Sequence, residues 1–200
     1  MTARDPKKFD PARAHLLDAP ERERFLPTGA LVALLELRGG ETVVDYGAGT
    51  GRVAVAVADV LHDEGGDGHV IAVDESPEMF ARLQAAAAGR RLIEPVLIDD
   101  NVVPYPDRVA DRVLAVNVLH EMRGERALSE IHRLLKPGGF ALVVDWERGR
   151  ERDAGPPDEL LYDAAEATTL LRDAGFAVRP ADAALPYHFA LRAAVGGEGV

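Results

Sequence analysis

The stretch Asp45-Tyr46-Gly47-Ala48-Gly49-Thr50-Gly51 puts three glycines at alternate positions just after an acid. Such glycines let a chain turn tightly and let a ligand approach the backbone without meeting a Cβ. Similar turns also serve as plain connections, so the neighbours decide the reading. Two further acids follow apolar runs: Asp74 in Val73-Asp74-Glu75, and Asp99 in Ile98-Asp99-Asp100-Asn101. A carboxylate at Asp74 can accept from both hydroxyls of a ribose. An acceptor at Asp99 can take a purine exocyclic amine. A fourth run ends in Val116-Asn117-Val118-Leu119-His120-Glu121. His120 can titrate near neutrality, which makes it the candidate general base.

Other chemistries fail on their spacing. The dinucleotide fingerprint G-x-G-x-x-G needs a glycine where Arg52 stands, and Asp45 would oppose a pyrophosphate. No G-K-[ST] follows the turn, so it is not a phosphate-cradling loop. His120-Glu121 has no second histidine at position 124, as a metalloprotease helix would require. The turn therefore favours a ligand without phosphate and with a positive charge. His15 and His188 are weaker candidates for a base, and His188, alternating with Tyr187 and Phe189, is expected to face solvent. Asp145, at the end of a fifth run, is expected to pair structurally.

These residues need a frame, and the flanking pattern supplies one. Strands are expected at Thr42–Tyr46, His69–Val73, Val96–Ile98, Arg112–Val116, Phe140–Trp146, Phe176–Arg179 and Pro186–Arg192. Helices are expected after Thr28 with Gly39-Gly40 as the stop, after the glycine turn to about His62, from Ser76-Pro77 through Ala88, and from about Glu125 to Leu135. Asp163 and Glu166 are spaced as a capping box for one more, closed by Gly175. The alternation predicts an α/β, Rossmann-like, doubly wound sheet of seven strands with helices on both faces. The short link before the last strand leaves no room for a crossover helix, so that strand is expected to be antiparallel. In such sheets ligands sit beyond the carboxyl ends of the strands, where the acids fall. Residues 1–27, charged and punctuated by Pro6, Pro11, Pro20 and Pro27, read as an arm or lid, and 28–200 as the domain proper.

Composition narrows the function classes. The net charge is −11, which argues against broad binding to nucleic acid or an anionic membrane. There is no cysteine, so disulfides, thiolate metal sites and cysteine nucleophiles are excluded. Met1–Asp10 has no apolar core of a signal peptide, and no apolar run approaches membrane-span length. A cytoplasmic setting is the expectation.

Taken together, these residues resemble the class I S-adenosylmethionine-dependent methyltransferases over nearly the whole chain. Val43 through Gly51 matches the first motif of that family and Val70-Ile71-Ala72-Val73-Asp74 the second. Asp99 with Pro104-Tyr105 is similar to the adenine-contacting segment, with Val103 in place of its usual leucine. Asp111 through His120 resembles the fourth motif, and Leu135-Lys136-Pro137-Gly138-Gly139-Phe140 the segment after it. Phe9-Asp10-Pro11, Pro20-Glu21-Arg22, Asp145-Trp146 and Gly155-Pro156-Pro157 resemble the ubiquinone/menaquinone-biosynthesis branch. Arsenite methyltransferases of that branch need cysteines and are excluded.

The resemblance implies S-adenosyl-L-methionine as cofactor and a small-molecule methyl acceptor of unspecified identity. It implies Asp45 for the ammonium or an ordering water, the backbone of Gly47, Ala48, Gly49 and Gly51 for the methionine moiety, and Asp74 for the ribose. Glu75 and Asp100 are implied as backbone neighbours, Met79 as a packing residue on the adenine, and Asp99 and Asn117 as further contacts. Asp74 is expected at the crevice, where its loss costs the fold little. Two alternatives stay open at this stage: a cofactor-binding accessory protein without turnover, and an NAD-dependent oxidoreductase.

Overall fold

A computed structural model describes residues 8–122 and 125–196. Met1 to Lys7, the start of the expected arm, lie outside them. Seven strands form one sheet: β1 Thr42–Tyr46, β2 His69–Asp74, β3 Ile93–Leu97, β4 Ala110–Val116, β5 Leu135–Trp146, β6 Ala177–Pro180 and β7 His188–Ala194. Their order is β3-β2-β1-β4-β5-β7-β6. The pairs from β3 to β5 are parallel, and β7 runs antiparallel to both β5 and β6. Around the sheet lie α1 Thr28–Ala33, α2 Arg52–Asp63, α3 Pro77–Ala87, α4 Glu125–Leu134 and α5 Ala164–Asp173.

The central strands are apolar on both faces because helices cover both. Alternate residues of β1 divide between two buried layers. Val44 and Tyr46 pack with Leu128, Ile131 and Leu171 on one side, and Val43 packs with Leu35, Val57 and Leu61 on the other. Truncating one such leucine to alanine costs about 2–5 kcal/mol, since a close-packed core relaxes only in part around the void.

Several element boundaries differ from the sequence reading, each for a local reason. β3 begins before Pro95 rather than after it, because it is an edge strand and tolerates a missing N–H. β5 reaches back through Lys136-Pro137-Gly138-Gly139 to Leu135, across an irregularity between Ala110 and Arg112. Gly139 makes this possible: a Cβ there would lie 2.9 Å from the Asp111 carbonyl. α1 stops at Ala33, well short of Gly39-Gly40, as 3-10 bonds from Leu35 N–H to Val32 and Glu36 N–H to Ala33 tighten its end. The capping box of Asp163 and Glu166 forms as expected. No helix among the described residues is long and apolar enough to cross a membrane.

Candidate functional site

The glycine turn hangs from β2. The N–H groups of Gly47 and Ala48 both donate to the Val73 carbonyl at 2.9 Å. Gly49 N–H donates to Asp74 Oδ2 at 2.8 Å, and Ser76 N–H to Asp74 Oδ1 at 2.9 Å. One carboxylate thus ties the turn to the start of α3. Gly47 has φ +76, and a Cβ on it would lie 2.5 Å from Val118 Cγ1. Only glycine fits both the conformation and the space.

Asp74 is 8% exposed. This corrects the expectation of a crevice residue with little part in the fold: the carboxylate holds two backbone segments. Burial raises its pKa, and those two hydrogen bonds oppose the rise.

Asp45, at the end of the inward run of β1, is 3% exposed. It accepts from the Ala54 backbone in the first turn of α2, whose N-terminus favours an anion. Its Oδ2 has no hydrogen-bond partner among the described residues. Burial, reinforced by Asp74, pushes its pKa up to about 7, against the Ala54 bond and the charge of Arg22. After β4, just before the Val118 that packs on Gly47, Asn117 adopts φ +57, and its buried Oδ1 also has no hydrogen-bond partner among the described residues. Two buried acceptors without donors, next to a glycine turn, suit a ligand with a cationic ammonium and further N–H or O–H groups. The residues fit S-adenosylmethionine.

The remaining implied contacts are more dispersed. Glu75 pairs with Lys8, and Met79 is buried near the start of α3. Asp99 is exposed in a tight turn bridged to Val102, where Asp100 and Asn101 have positive φ. The Asp100 side chain pairs with Arg126 at the surface, and Tyr46 Oη donates to the Asn101 carbonyl at 3.2 Å.

His120 is buried in a 3-10 turn, Leu119–Glu121, after β4. Its Nδ1 is 2.7 Å from Asp145 Oδ1, and its own N–H donates to Asp145 Oδ2 at 3.0 Å. Asp145 is therefore the structural partner of His120, a pairing the sequence reading did not make. The signal was the adjacency of β4 and β5, which brings both ends together. Glu121 Oε1 lies 3.9 Å from His120 Nε2. Burial pushes Glu121 up to about 7, opposed first by His120.

His188 does not face solvent. It is 4% exposed, in register with Trp146 on β5, and its ring lies 4.2 Å from the Trp146 ring centroid and parallel, within 5°, to Phe25. Neither ring nitrogen has a hydrogen-bond partner among the described residues. Burial pushes His188 down to about 4, so it is neutral at physiological pH. His15, by contrast, is exposed on the arm.

Residues 8–27 lie across this edge. Leu17 Cδ1 would be 3.3 Å from a Cβ on Gly49, and Thr50 Oγ1 donates to Asp18 at 2.6 Å. Arg52 donates to the carbonyls of Leu17 and Ala19, both at 3.3 Å, and to Glu23 at 2.5 Å. The residue that breaks the dinucleotide fingerprint thus clamps the arm. The Phe9 backbone reaches Glu121.

Comparison with known proteins agrees with this geometry. A family described as "Methyltransferase domain" matches residues 44–143. A crystal structure of a SAM dependent methyltransferase from Aquifex aeolicus superposes with TM-score 0.84 at 29% identity, covering 93% of this chain and 98% of that one. A ubiquinone/menaquinone biosynthesis C-methyltransferase of Bordetella avium is 35% identical over 114 residues, 56% of this chain and 43% of the relative. One from Coxiella burnetii is 28% identical over 116 residues, 56% of this chain and 45% of the relative. The aligned part spans a little under half the length of these curated relatives. Neither the accessory nor the oxidoreductase alternative is favoured by these likenesses. With the glycine turn, the two unpartnered acceptors beside it and a methyltransferase match over half its length, the chain belongs to the class I S-adenosylmethionine-dependent methyltransferases.

Proposed function

We propose that the chain transfers a methyl group to a small organic acceptor, with His120 as general base. The observation that carries this reading is the 2.7 Å contact between His120 Nδ1 and Asp145 Oδ1. When bound, S-adenosylmethionine supplies an electrophilic methyl carbon and a neutral thioether leaving group. Asp45 receives the ammonium of its amino-acid tail, and the Gly47–Gly51 backbone leaves room for that moiety. Asp74 holds the turn in place and offers its carboxylate edge to the ribose. Because Asp145 accepts from Nδ1–H, the basic lone pair of the neutral ring sits on His120 Nε2. That nitrogen takes the acceptor's proton as the nucleophile attacks, and Asp145 stabilises the resulting imidazolium. The remaining contribution is alignment and exclusion of water.

In the same proposal residues 1–27 are a lid on a domain of residues 28–200, and cytoplasm is the setting. Contacts of Leu17, Asp18 and Glu23 with Gly49, Thr50 and Arg52 support the lid. The test of the base is turnover of His120→Ala on any acceptor found by screening. A fall of about 10²–10⁴ with normal S-adenosylhomocysteine affinity is expected. An unchanged rate from pH 6 to 9 rejects the role.

A further inference from the structure

His188 presents a problem that the cofactor site does not solve. A neutral imidazole carries one donor and one acceptor, and leaving both unmade in a buried position is costly. Native proteins seldom leave such groups unpaired without use. Here both nitrogens are unpartnered among the described residues, as is the buried Nε of nearby Arg152.

The position is as informative as the unused donor and acceptor. β7 runs antiparallel to β5, so its first residue stands at the carboxyl ends of the parallel strands. His188 is beside Trp146, and Trp146 follows the Asp145 that holds His120. Phe25 of the arm covers the ring, and Tyr187 stacks within 15° of Trp146. Of the charges that act on the imidazole, Asp145 favours its cation and Arg22, Arg152 and His120 oppose it. Arg152, paired with Asp158, lies with its guanidinium 5.8 Å from the Trp146 ring centroid, so the face of the wall that would hold a cation already carries one.

We propose that His188 is a hydrogen-bonding, specificity-determining residue of the acceptor site, selecting a planar ring that bears a hydroxyl group and no positive charge. The aromatic wall of Phe25, Trp146 and Tyr187 suits a flat ring. The hydroxyl, itself both donor and acceptor, supplies what the imidazole lacks. Part of the wall belongs to the arm, so acceptor binding and arm closure are coupled. This inference rests on the methyltransferase reading above.

The test uses protein saturated with S-adenosylhomocysteine. Catechol and 4-hydroxybenzoate are titrated as hydroxyl-ring probes, and tyramine and ethanolamine as cationic controls, by calorimetry or ligand-observed NMR. Wild-type protein is expected to bind a hydroxyl-ring probe and to reject both amines. His188→Phe and His188→Asn are expected to bind that probe about tenfold more weakly, the loss of one or two neutral hydrogen bonds. Both should keep wild-type affinity for S-adenosylhomocysteine. Equal probe affinity in whichever variant folds, preferential binding of an amine, or no ring binding by wild type would each overturn the proposal. Failure of wild-type protein to bind S-adenosylhomocysteine would instead bring down the methyltransferase reading, and this inference with it. Should both variants fail to fold, the His188 ring resonances of wild-type protein are followed by NMR as the probe is added: a shift is expected, and none would overturn the proposal.

Discussion

Asp145 grips His120 twice, through the ring Nδ1 at 2.7 Å and through the backbone N–H at 3.0 Å. One carboxylate therefore sets both the orientation of the imidazole and the path of the chain after β4. Trp146 N–H donates to Asp145 Oδ1 at 2.7 Å as well, which fixes the carboxylate in turn. Such a three-way hold leaves the ring little freedom.

Asp145→Asn separates orientation from charge. The amide can keep a contact to the ring while losing the charge that favours an imidazolium, so turnover is expected to fall by about 10²-fold or more. The double variant Asp145→Asn/His120→Ala should be no slower than His120→Ala alone, because the two act as a unit. Steady-state rates with one acceptor check this, and additive losses would separate the pair.

Asp74→Ala is expected to damage both binding and stability. Removing the carboxylate leaves the Gly49 and Ser76 N–H groups without their acceptor, a cost of roughly 1–3 kcal/mol each where water cannot replace it. Thermal melting should show a lowered midpoint, and S-adenosylhomocysteine affinity should fall about 10- to 1,000-fold. A normal midpoint would mean that the turn holds its shape unaided.

The stability of the free protein carries two opposed pH dependences. Asp45 and Glu121 have raised pKa values of about 7, so their contribution is full below about pH 4 and is lost as pH rises through 7. His188 has a lowered pKa of about 4, so its contribution is full above about 6.5 and is lost as pH falls through 4. His188→Phe removes only the second effect. Its melting point should therefore gain on wild type steadily from pH 6.5 to pH 4, and a constant difference across that window would show that His188 is not buried neutral.

Arg52→Ala should loosen the arm without unfolding the domain. The guanidinium bonds two arm carbonyls and Glu23 from the first turn of α2, where a helix tolerates alanine well. Limited proteolysis between positions 8 and 27 is expected to quicken several-fold while the core resists. Unchanged cleavage would show that the contacts left in place, those of Leu17, Phe25 and Leu26 and the Asp18–Thr50 and Lys8–Glu75 pairs, suffice to hold the arm.

Much of this was legible from local pattern. The alternation of strands and helices, the glycine turn and the acids toward the ends of β1 and β2 are written in contiguous residues. What escaped were relationships between distant segments. The Asp145–His120 pair depends on which strand lies beside β4. Burial of His188 depends on Phe25, far away in sequence, folding over an otherwise open strand end. The part of Arg52 looked like a mere departure from a fingerprint until the arm lay against it. Pro95 hid the start of β3 because a strand-breaking residue gives no sign that its strand is at an edge.

The most direct measurement is a calorimetric titration of wild-type protein and Asp45→Asn with S-adenosylhomocysteine, at pH 6, 7 and 8 and in buffers of different ionisation enthalpy. In the proposed site the amino-acid tail needs an ionised Asp45, whose pKa in the free protein is about 7. Binding should therefore be one-to-one, release close to half a proton near pH 7, and weaken as pH falls to 6, with a change of at most about tenfold per pH unit. In Asp45→Asn the proton release should vanish and the affinity should drop. Absence of binding at every pH, or binding indifferent to both pH and the Asp45 substitution, would contradict the assigned cofactor site.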